Sequence, residues 1–177
     1  NLGIAREVAG IFGKKFMSPE WYGGTVTFDD INDVSLTSDN LIPTKVPRIM
    51  TVAMKNVTVK PSPIWLQAYL QRVGIKPINN VVDVTNYVMH LTAQPLHAFD
   101  LDKLASRSDK LGVFPRMATK GEKILLLGNK EVVLTEEDMV ISTDKQAVAL
   151  AGVMGGAETE VDETTKNILI ECATFDM

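Results

Sequence analysis

Two side chains of this sequence, His97 and Glu171, have the chemistry expected of a hydrolytic or recognition site. His97 stands in the turn-like segment 94–100 (QPLHAFD), where an imidazole can act as a base near neutral pH or orient a water molecule. The alternative is a histidine that only hydrogen-bonds its own loop, and spacing alone favours that alternative. His90, near the end of a predicted helix, is more typical of a surface residue that stabilises the helix terminus.

Glu171 occupies a strand-like segment, 168–173, that is otherwise apolar except for one cysteine. Alternation along a strand places Glu171 on the same face as Leu169 and Ala173. A carboxylate on such a face needs a partner, a raised pKa or a ligand. The structural alternative is that Glu171 forms a buried salt bridge or lies at an edge position open to water. The pattern favours this alternative and a functional role equally.

The segment 151–156 (AGVMGG) follows an apolar strand-like run and permits close approach of a ligand to the backbone, although its glycines also suit a tight turn. Gly155 and Gly156 are therefore candidate substrate contacts. The spacing differs from that of a phosphate-binding loop, so nucleotide binding is not predicted. The acidic run at 158–163 is typical of a solvated loop, and no metal site is predicted.

The elements that must position these residues indicate an α+β domain. Apolar residues at helical spacing predict helices at 2–12, 62–74 and 79–91. Ser62 is expected to cap the second helix and Gly74 to end it, and Asn79 or Asn80 is expected to cap the third. Strands are predicted at 48–59, 111–117, 122–127, 132–134, 139–142, 147–153 and 167–174. Helices followed by a mixed or antiparallel sheet, in a single compact domain with a partial N-terminal leader, follow from this order.

The domain boundary is predicted near residue 40. Residues 14–46 are rich in proline, glycine, aspartate, asparagine and serine, with a brief strand-like stretch at 25–28, which is typical of a linker. We interpret 1–40 as the C-terminal remnant of a preceding domain plus this linker, and 41–177 as the domain that carries the candidate site. The start at Asn1 has neither an initiating methionine nor a signal-peptide pattern, so we expect it to lie within a longer protein.

Composition excludes several classes of protein. With 45% hydrophobic and 23% charged residues the sequence is in the globular range, and it contains no apolar run of the roughly 18 residues that a membrane span needs. One cysteine, Cys172, with two histidines cannot form an internal disulfide or a usual zinc site, which predicts a reducing compartment, the cytoplasm. The net charge of -4 argues against a broad basic surface for nucleic acid.

Several blocks resemble the beta chain of bacterial phenylalanyl-tRNA synthetases. They occur in the family's order over nearly the whole sequence, at 3–8, 61–65, 74–89, 94–104, 150–156, 162–165 and 168–173. The resemblance implies a module of an α2β2 synthetase that hydrolyses tRNA(Phe) wrongly charged with tyrosine. It implies tRNA(Phe) and the alpha subunit as partners and no cofactor in this chain, with the ATP and Mg²⁺ of the full enzyme bound elsewhere.

The resemblance also implies roles for individual residues. His97 matches the family's editing-site histidine, Glu171 the glutamate that recognises the tyrosine hydroxyl, and Gly155 a glycine lining the pocket. Lys76 stands where relatives often carry arginine near the terminal adenosine of the tRNA, and lysine keeps the charge without the planar fork. The sequence ends before family segments that complete the pocket, so the editing domain is expected to be truncated at its C-terminal end.

The residues also fit two rival interpretations. The first is a non-catalytic scaffold that positions tRNA or the alpha subunit, with His97 and Glu171 merely structural. The second is a freestanding editing factor that acts in trans. For an editing enzyme, hydrolysis of the aminoacyl ester needs an attacking water, an acceptor for its proton and stabilisation of the oxyanion, for which backbone amides near Gly155 and Gly156 are candidates.

Overall fold

The computed structural model of the chain describes residues 1–24, 36 and 39–176, so the strand expected at 25–28 lies outside the described residues. The helices are α1 (Leu2–Ile11), α2 (Glu20–Gly23), α3 (Ile64–Arg72), α4 (Asn80–Thr92) and α5 (Leu101–Ala105), with a short 3₁₀ turn at Ala157–Thr159. The strands are β1 (Arg48–Met54), β2 (His97–Asp100), β3 (Phe114–Met117), β4 (Lys123–Leu126), β5 (Lys130–Val133), β6 (Met139–Ser142), β7 (Ala147–Leu150), β8 (Met154–Gly155) and β9 (Ile168–Thr174).

The strands form three antiparallel sheets. The first has three strands in the order β1-β9-β2, the second has four in the order β3-β6-β7-β8, and β4 pairs with β5 in a hairpin. An isolated bridge between Leu126 and Gly156 connects the hairpin to the strand that ends the second sheet. The predicted α+β class, with helices and antiparallel sheets in one compact domain, is confirmed. The domain boundary near residue 40 stays a prediction.

A buried core joins the first two sheets. Its members come from β2, α5, β6, β7 and β9 and from the turns beside them: Phe99, Leu101, Leu104, Val113, Ile141, Val148, Ala149, Ala151 and Leu169. Burial of apolar side chains from both sheets is the main stabilising contribution to such a domain. The consequence for the site is that the inner faces of β2 and β9 are turned toward β7 and β8.

The predicted helix caps are partly right. Asn79 caps α4, because its Oδ1 accepts hydrogen bonds from the amides of Val81 and Val82 at 3.1 and 3.0 Å. The prediction that Ser62 caps α3 is wrong. Its hydroxyl donates instead to Asp83 Oδ2 at 2.5 Å, since the fully buried Asp83 carboxylate requires hydrogen-bond donors.

The segment around His97 is also corrected. It is a strand rather than a turn, because residues 97–100 pair with β9 along their whole length, and the short helix α5 follows it without having been predicted. The strand predicted at 48–59 ends at Met54, and the one predicted at 147–153 is interrupted after Leu150 by a turn that leads into β8. The other predicted strands are present within a few residues.

The N-terminal helix lies on the surface. None of its residues is buried, and it lies against α4. Among the described residues, no helix has the length and apolar character that crossing a bilayer demands.

Candidate functional site

The strand register brings His97 and Glu171 together. β9 is the central strand of its sheet, and its Glu171 lies directly opposite His97 of β2. The predicted placement of Glu171 is confirmed, since Leu169, Glu171 and Ala173 are all buried while the residues between them are more exposed. Directly opposed residues of an antiparallel pair point to the same face with Cβ atoms roughly 5 Å apart. An imidazole and a carboxyl therefore share one small region of the inner face.

The His97 ring is held between an aromatic ring and a backbone. Its imidazole meets the Phe99 ring edge-on, with centroids 4.4 Å apart and an interplanar angle of 72°. On the other side lies Gly155, where a Cβ atom would come within 2.4 Å of His97 Cε1 and 2.7 Å of Nε2. Only a residue without a side chain permits this approach. Gly155 thus allows the imidazole to occupy its observed place.

Glu171 is a buried carboxyl with an unsatisfied oxygen. Its residue exposure is 7%, and Oε1 has no hydrogen-bond partner in the part of the chain that the structure describes. Most buried polar atoms do have a partner, so an exception at a cleft is where a ligand donor is expected. Burial raises the pKa of Glu171 to about 7, because removal from water penalises the charged form.

Burial lowers the pKa of His97, whereas it raises that of Glu171. Loss of water lowers the pKa of the imidazole to about 4, so His97 is neutral near pH 7. A neutral imidazole has one nitrogen that accepts and one that donates a hydrogen bond. Such a ring can orient a water molecule, while its low pKa makes it a weak general base.

The two groups open into a cleft of about 260 Å³ between the first two sheets. Glu171, His97 and Gly155 all line it, and their roles as site residues stay predictions. The remaining walls are mostly apolar and come from α4 and the loop after it, β6, β7, the turn before β8, β8 itself, β9 and the residue after it: Met89, Pro95, Leu96, Ile141, Ala149, Leu150, Ala151, Gly152, Val153, Met154, Ala173 and Phe175. A narrow apolar cleft with a few polar groups is the usual form of a small-ligand site.

Gly156 and Lys76 lie apart from this cleft. Gly156 lines a separate cleft of about 160 Å³ beside the β4-β5 hairpin, and its amide donates to the Val148 carbonyl at 2.8 Å. Lys76 is exposed on the loop between α3 and α4, and it lines neither cleft. Both assignments as substrate contacts stay predictions, with the Gly156 amide already engaged in the sheet.

Sequence reasoning missed most of the apolar walls of the cleft. Met89 is half-buried on α4, and Phe175 follows the last strand with its ring 3.5 Å from the Cβ position of Gly152. The helical stripe read from the sequence was Val81, Val84, Val88 and Leu91, which does not include Met89. No group of three or more histidine, cysteine, aspartate or glutamate side chains suited to a metal is present among residues 1–24, 36 and 39–176.

The fold and the cleft define the class of protein: an α+β domain that presents a buried carboxyl and an imidazole to a small, largely apolar ligand group. Comparison with known proteins then gives the family, because residues 45–177 match the family model described as the B3/4 domain. The chain belongs to the B3/4 domain family.

Relatives agree with the resemblance seen in the sequence. The chain is 47% identical over 98% of its length to the phenylalanine–tRNA ligase beta subunit of Streptococcus thermophilus. It is 45% identical over 99% to that of Synechocystis sp.. In both cases it spans 21% of the relative's length, about one fifth. The predicted resemblance to the phenylalanyl-tRNA synthetase beta chain is confirmed by these matches.

A solved structure supports the fold. The crystal structure of an N-terminal fragment of the phenylalanyl-tRNA synthetase beta subunit from Pyrococcus horikoshii aligns with a TM-score of 0.57 at 13% identity. The alignment covers 82% of this chain and 44% of that one. At this identity the likeness concerns the architecture of the domain alone.

Proposed function

We propose that this chain is an editing module of a phenylalanine–tRNA ligase and that its main cleft hydrolyses Tyr-tRNA(Phe). The relatives named as beta subunits of that ligase support the enzyme class. The observation that carries the editing role is the buried Glu171 oxygen, which has no hydrogen-bond partner in the described part of the chain and lies opposite His97 in a mostly apolar cleft.

The selectivity follows from the difference between the two amino acids. Tyrosine differs from phenylalanine by one hydroxyl, and an apolar pocket alone discriminates poorly against such a difference. A carboxyl facing that hydroxyl gains a hydrogen bond with tyrosine, whereas with phenylalanine it loses water and receives nothing, at a penalty of roughly 1 to 3 kcal/mol. Glu171 is therefore the selectivity residue of the proposal.

The hydrolytic step uses His97 to orient the attacking water. The water oxygen adds to the ester carbonyl carbon, the bond from that carbon to the ribose oxygen breaks, and the water's proton ends on the ribose hydroxyl that leaves. Because the pKa of His97 is lowered to about 4, its neutral ring is better suited to positioning the water than to holding a full proton. The ribose hydroxyl next to the ester assists as a relay, accepting the water's proton while it passes its own proton to the leaving oxygen.

The tRNA must be held largely by other parts of the full protein. The chain has 18 basic and 22 acidic residues, which leaves few cations to neutralise phosphates. We assign tRNA(Phe) and the alpha subunit as partners, a local contact with the terminal adenosine to Lys76, and the cytoplasm as the location. The synthetic reaction with ATP and Mg²⁺ belongs to other domains of the enzyme.

Deacylation of Tyr-tRNA(Phe) by the full-length ligase tests the proposal. The double variant His97→Ala/Glu171→Ala should lose deacylation and keep aminoacylation. A matched double variant, His90→Ala/Glu136→Ala, changes the other histidine and an exposed glutamate outside the cleft and should behave like wild type. Full deacylation by the first variant would instead support the scaffold interpretation, in which the domain only positions tRNA or the alpha subunit.

A further inference from the structure

A third polar side chain lies in line with His97 and Glu171. In the three-stranded sheet, Glu171 of the central strand is opposite His97 on one side and opposite Thr51 of β1 on the other. The three residues thus form one row across the sheet, which we call the polar row. Neighbours within such a row are close enough for their side chains to interact directly.

Thr51 points to the same face as the cleft residues. On β1 its neighbours on that face, Ile49 and Ala53, pack against the core cluster that contains Leu169. Met50 and Met54 are on the opposite face, each with 45% of its surface accessible, and Val52 between them on that face is half-buried. Thr51 itself is half-buried, so its hydroxyl is a polar group on an otherwise apolar stripe of the strand.

We propose that Thr51 is a positioning residue for Glu171: when that carboxyl ionises, the Thr51 hydroxyl donates a hydrogen bond to it and leaves the other oxygen for the substrate hydroxyl. An ionised carboxylate accepts hydrogen bonds on both oxygens and is expensive to bury without them. A neutral carboxyl has less need of the donor, which is consistent with a Glu171 Oε1 that has no hydrogen-bond partner among the described residues. The polar row therefore presents the carboxylate in one orientation.

The charges around Glu171 are few among the described residues. His97 faces it from β2, Cys172 follows it on the other face of β9, and Arg48 lies at the start of β1. The cleft wall from α4, β7 and β8 contributes only the apolar residues Met89, Ala149, Leu150, Met154 and Gly155. A donor hydroxyl beside the carboxylate therefore has a measurable effect on its titration.

The test is the titration of Glu171 in the 177-residue chain, followed by NMR with ¹³C-labelled glutamate carboxyls. The Glu171 signal is the one that disappears in Glu171→Gln. Thr51→Val keeps the shape of the side chain and the strand preference but removes the donor. It should raise the apparent pKa of Glu171 by roughly 1 to 2 pH units, the equivalent of one hydrogen bond to a charged group. Thr51→Ser should restore the wild-type titration.

Controls separate this effect from a change in packing. Thr174→Val changes an exposed threonine at the end of β9 and should leave the Glu171 titration unchanged. Thr51→Ala provides a second variant without the hydroxyl if the valine variant unfolds. An unchanged Glu171 titration in a folded Thr51→Val or Thr51→Ala chain, or a shift that serine does not reverse, overturns the proposal.

The functional part of the inference rests on the proposed editing role and has its own measurement. In the full-length ligase, Thr51→Val should reduce the ratio of Tyr-tRNA(Phe) to Phe-tRNA(Phe) deacylation about threefold to tenfold, and Thr51→Ser should recover it. If the wild-type ligase hydrolyses neither substrate, the editing role fails while the Glu171 titration still decides whether Thr51 holds the carboxylate. A wild-type ratio in a Thr51→Val ligase that edits overturns the positioning role.

Discussion

The backbone of Gly155 lies directly against the imidazole of His97. The Cβ position of residue 155 is 2.4 Å from His97 Cε1, a separation that real Cβ atoms do not adopt. Gly155 and His97 come from different sheets, so this contact joins the two walls of the cleft. It makes the position of the histidine depend on a residue that has no functional group of its own.

Replacing Gly155 by alanine should therefore displace the His97 ring. We expect Gly155→Ala to lower Tyr-tRNA(Phe) deacylation at least tenfold in the full-length ligase while aminoacylation continues, since a small misplacement of a catalytic group is costly. Gly3→Ala is the matched control, because nothing lies within 4 Å of a Cβ there. Wild-type deacylation by Gly155→Ala would show that the His97 position is not critical.

Loss of the imidazole itself should have a larger effect. His97→Ala is expected to slow deacylation of Tyr-tRNA(Phe) by about 10²-fold or more, the usual loss when a proton-transfer or water-orienting group is removed. Single-turnover deacylation assays measure this rate directly. An unchanged rate would leave His97 as a structural residue and the ribose hydroxyl as the main proton acceptor.

The Glu171 carboxyl should control which amino acid is removed. Glu171→Ala is expected to slow hydrolysis of Tyr-tRNA(Phe) and to relax the exclusion of Phe-tRNA(Phe), because it removes both the hydrogen bond to the phenol and the penalty for a buried carboxylate. The measured quantity is the ratio of the two deacylation rates. If both rates fall together at a constant ratio, Glu171 supports the fold or the chemical step instead.

The same carboxyl should make the free energy of unfolding depend on pH. The pKa of Glu171 is about 7 in the folded chain against 4.5 for an ordinary glutamate. As pH rises through this window the unfolded chain ionises first, so the folded state loses stability, which then stays constant above pH 7.

Glu171→Gln should therefore be more stable than wild type at pH 8, by up to about 3 kcal/mol, with little difference near pH 4. Urea unfolding at both pH values gives this comparison. Because the pKa of His97 is low in the folded chain, both proteins lose stability as pH falls from 6.5 toward 4. This loss is the same in wild type and in Glu171→Gln, so it cancels in the difference between their free energies of unfolding. Glu136→Gln, at an exposed site, is the control, and a difference independent of pH would contradict the buried carboxyl.

The isolated chain should bind tRNA weakly. Its net charge of -4 means that few phosphates can be neutralised, so we expect much lower affinity than that of the full-length ligase and a shallow dependence on salt. Filter binding at moderate salt compares the two proteins. Equal affinities would place the main tRNA contacts within this chain.

The sequence by itself determined the features that depend on local periodicity. Alternation along β9 placed Glu171 on the buried face, helical spacing placed the start of α4 at Asn79 or Asn80, and the order of elements predicted the α+β class. Family resemblance added the candidate roles of His97 and Gly155. The inferences from periodicity hold because a repeat of two residues in a strand or 3.6 in a helix is visible in the order of neighbouring side chains.

Only the tertiary structure determined which residues, distant in the chain, are in contact. Pairing of β2 with β9 turned the expected loop at His97 into a strand and set it opposite Glu171, and sheet packing brought Gly155 against the imidazole. Ser62 does not cap α3 because its hydroxyl donates a hydrogen bond to the buried Asp83, which is distant in sequence. Strand register, close backbone approach and the pKa shifts caused by burial all arise from contacts between residues far apart in the chain, and local sequence preference does not encode those contacts.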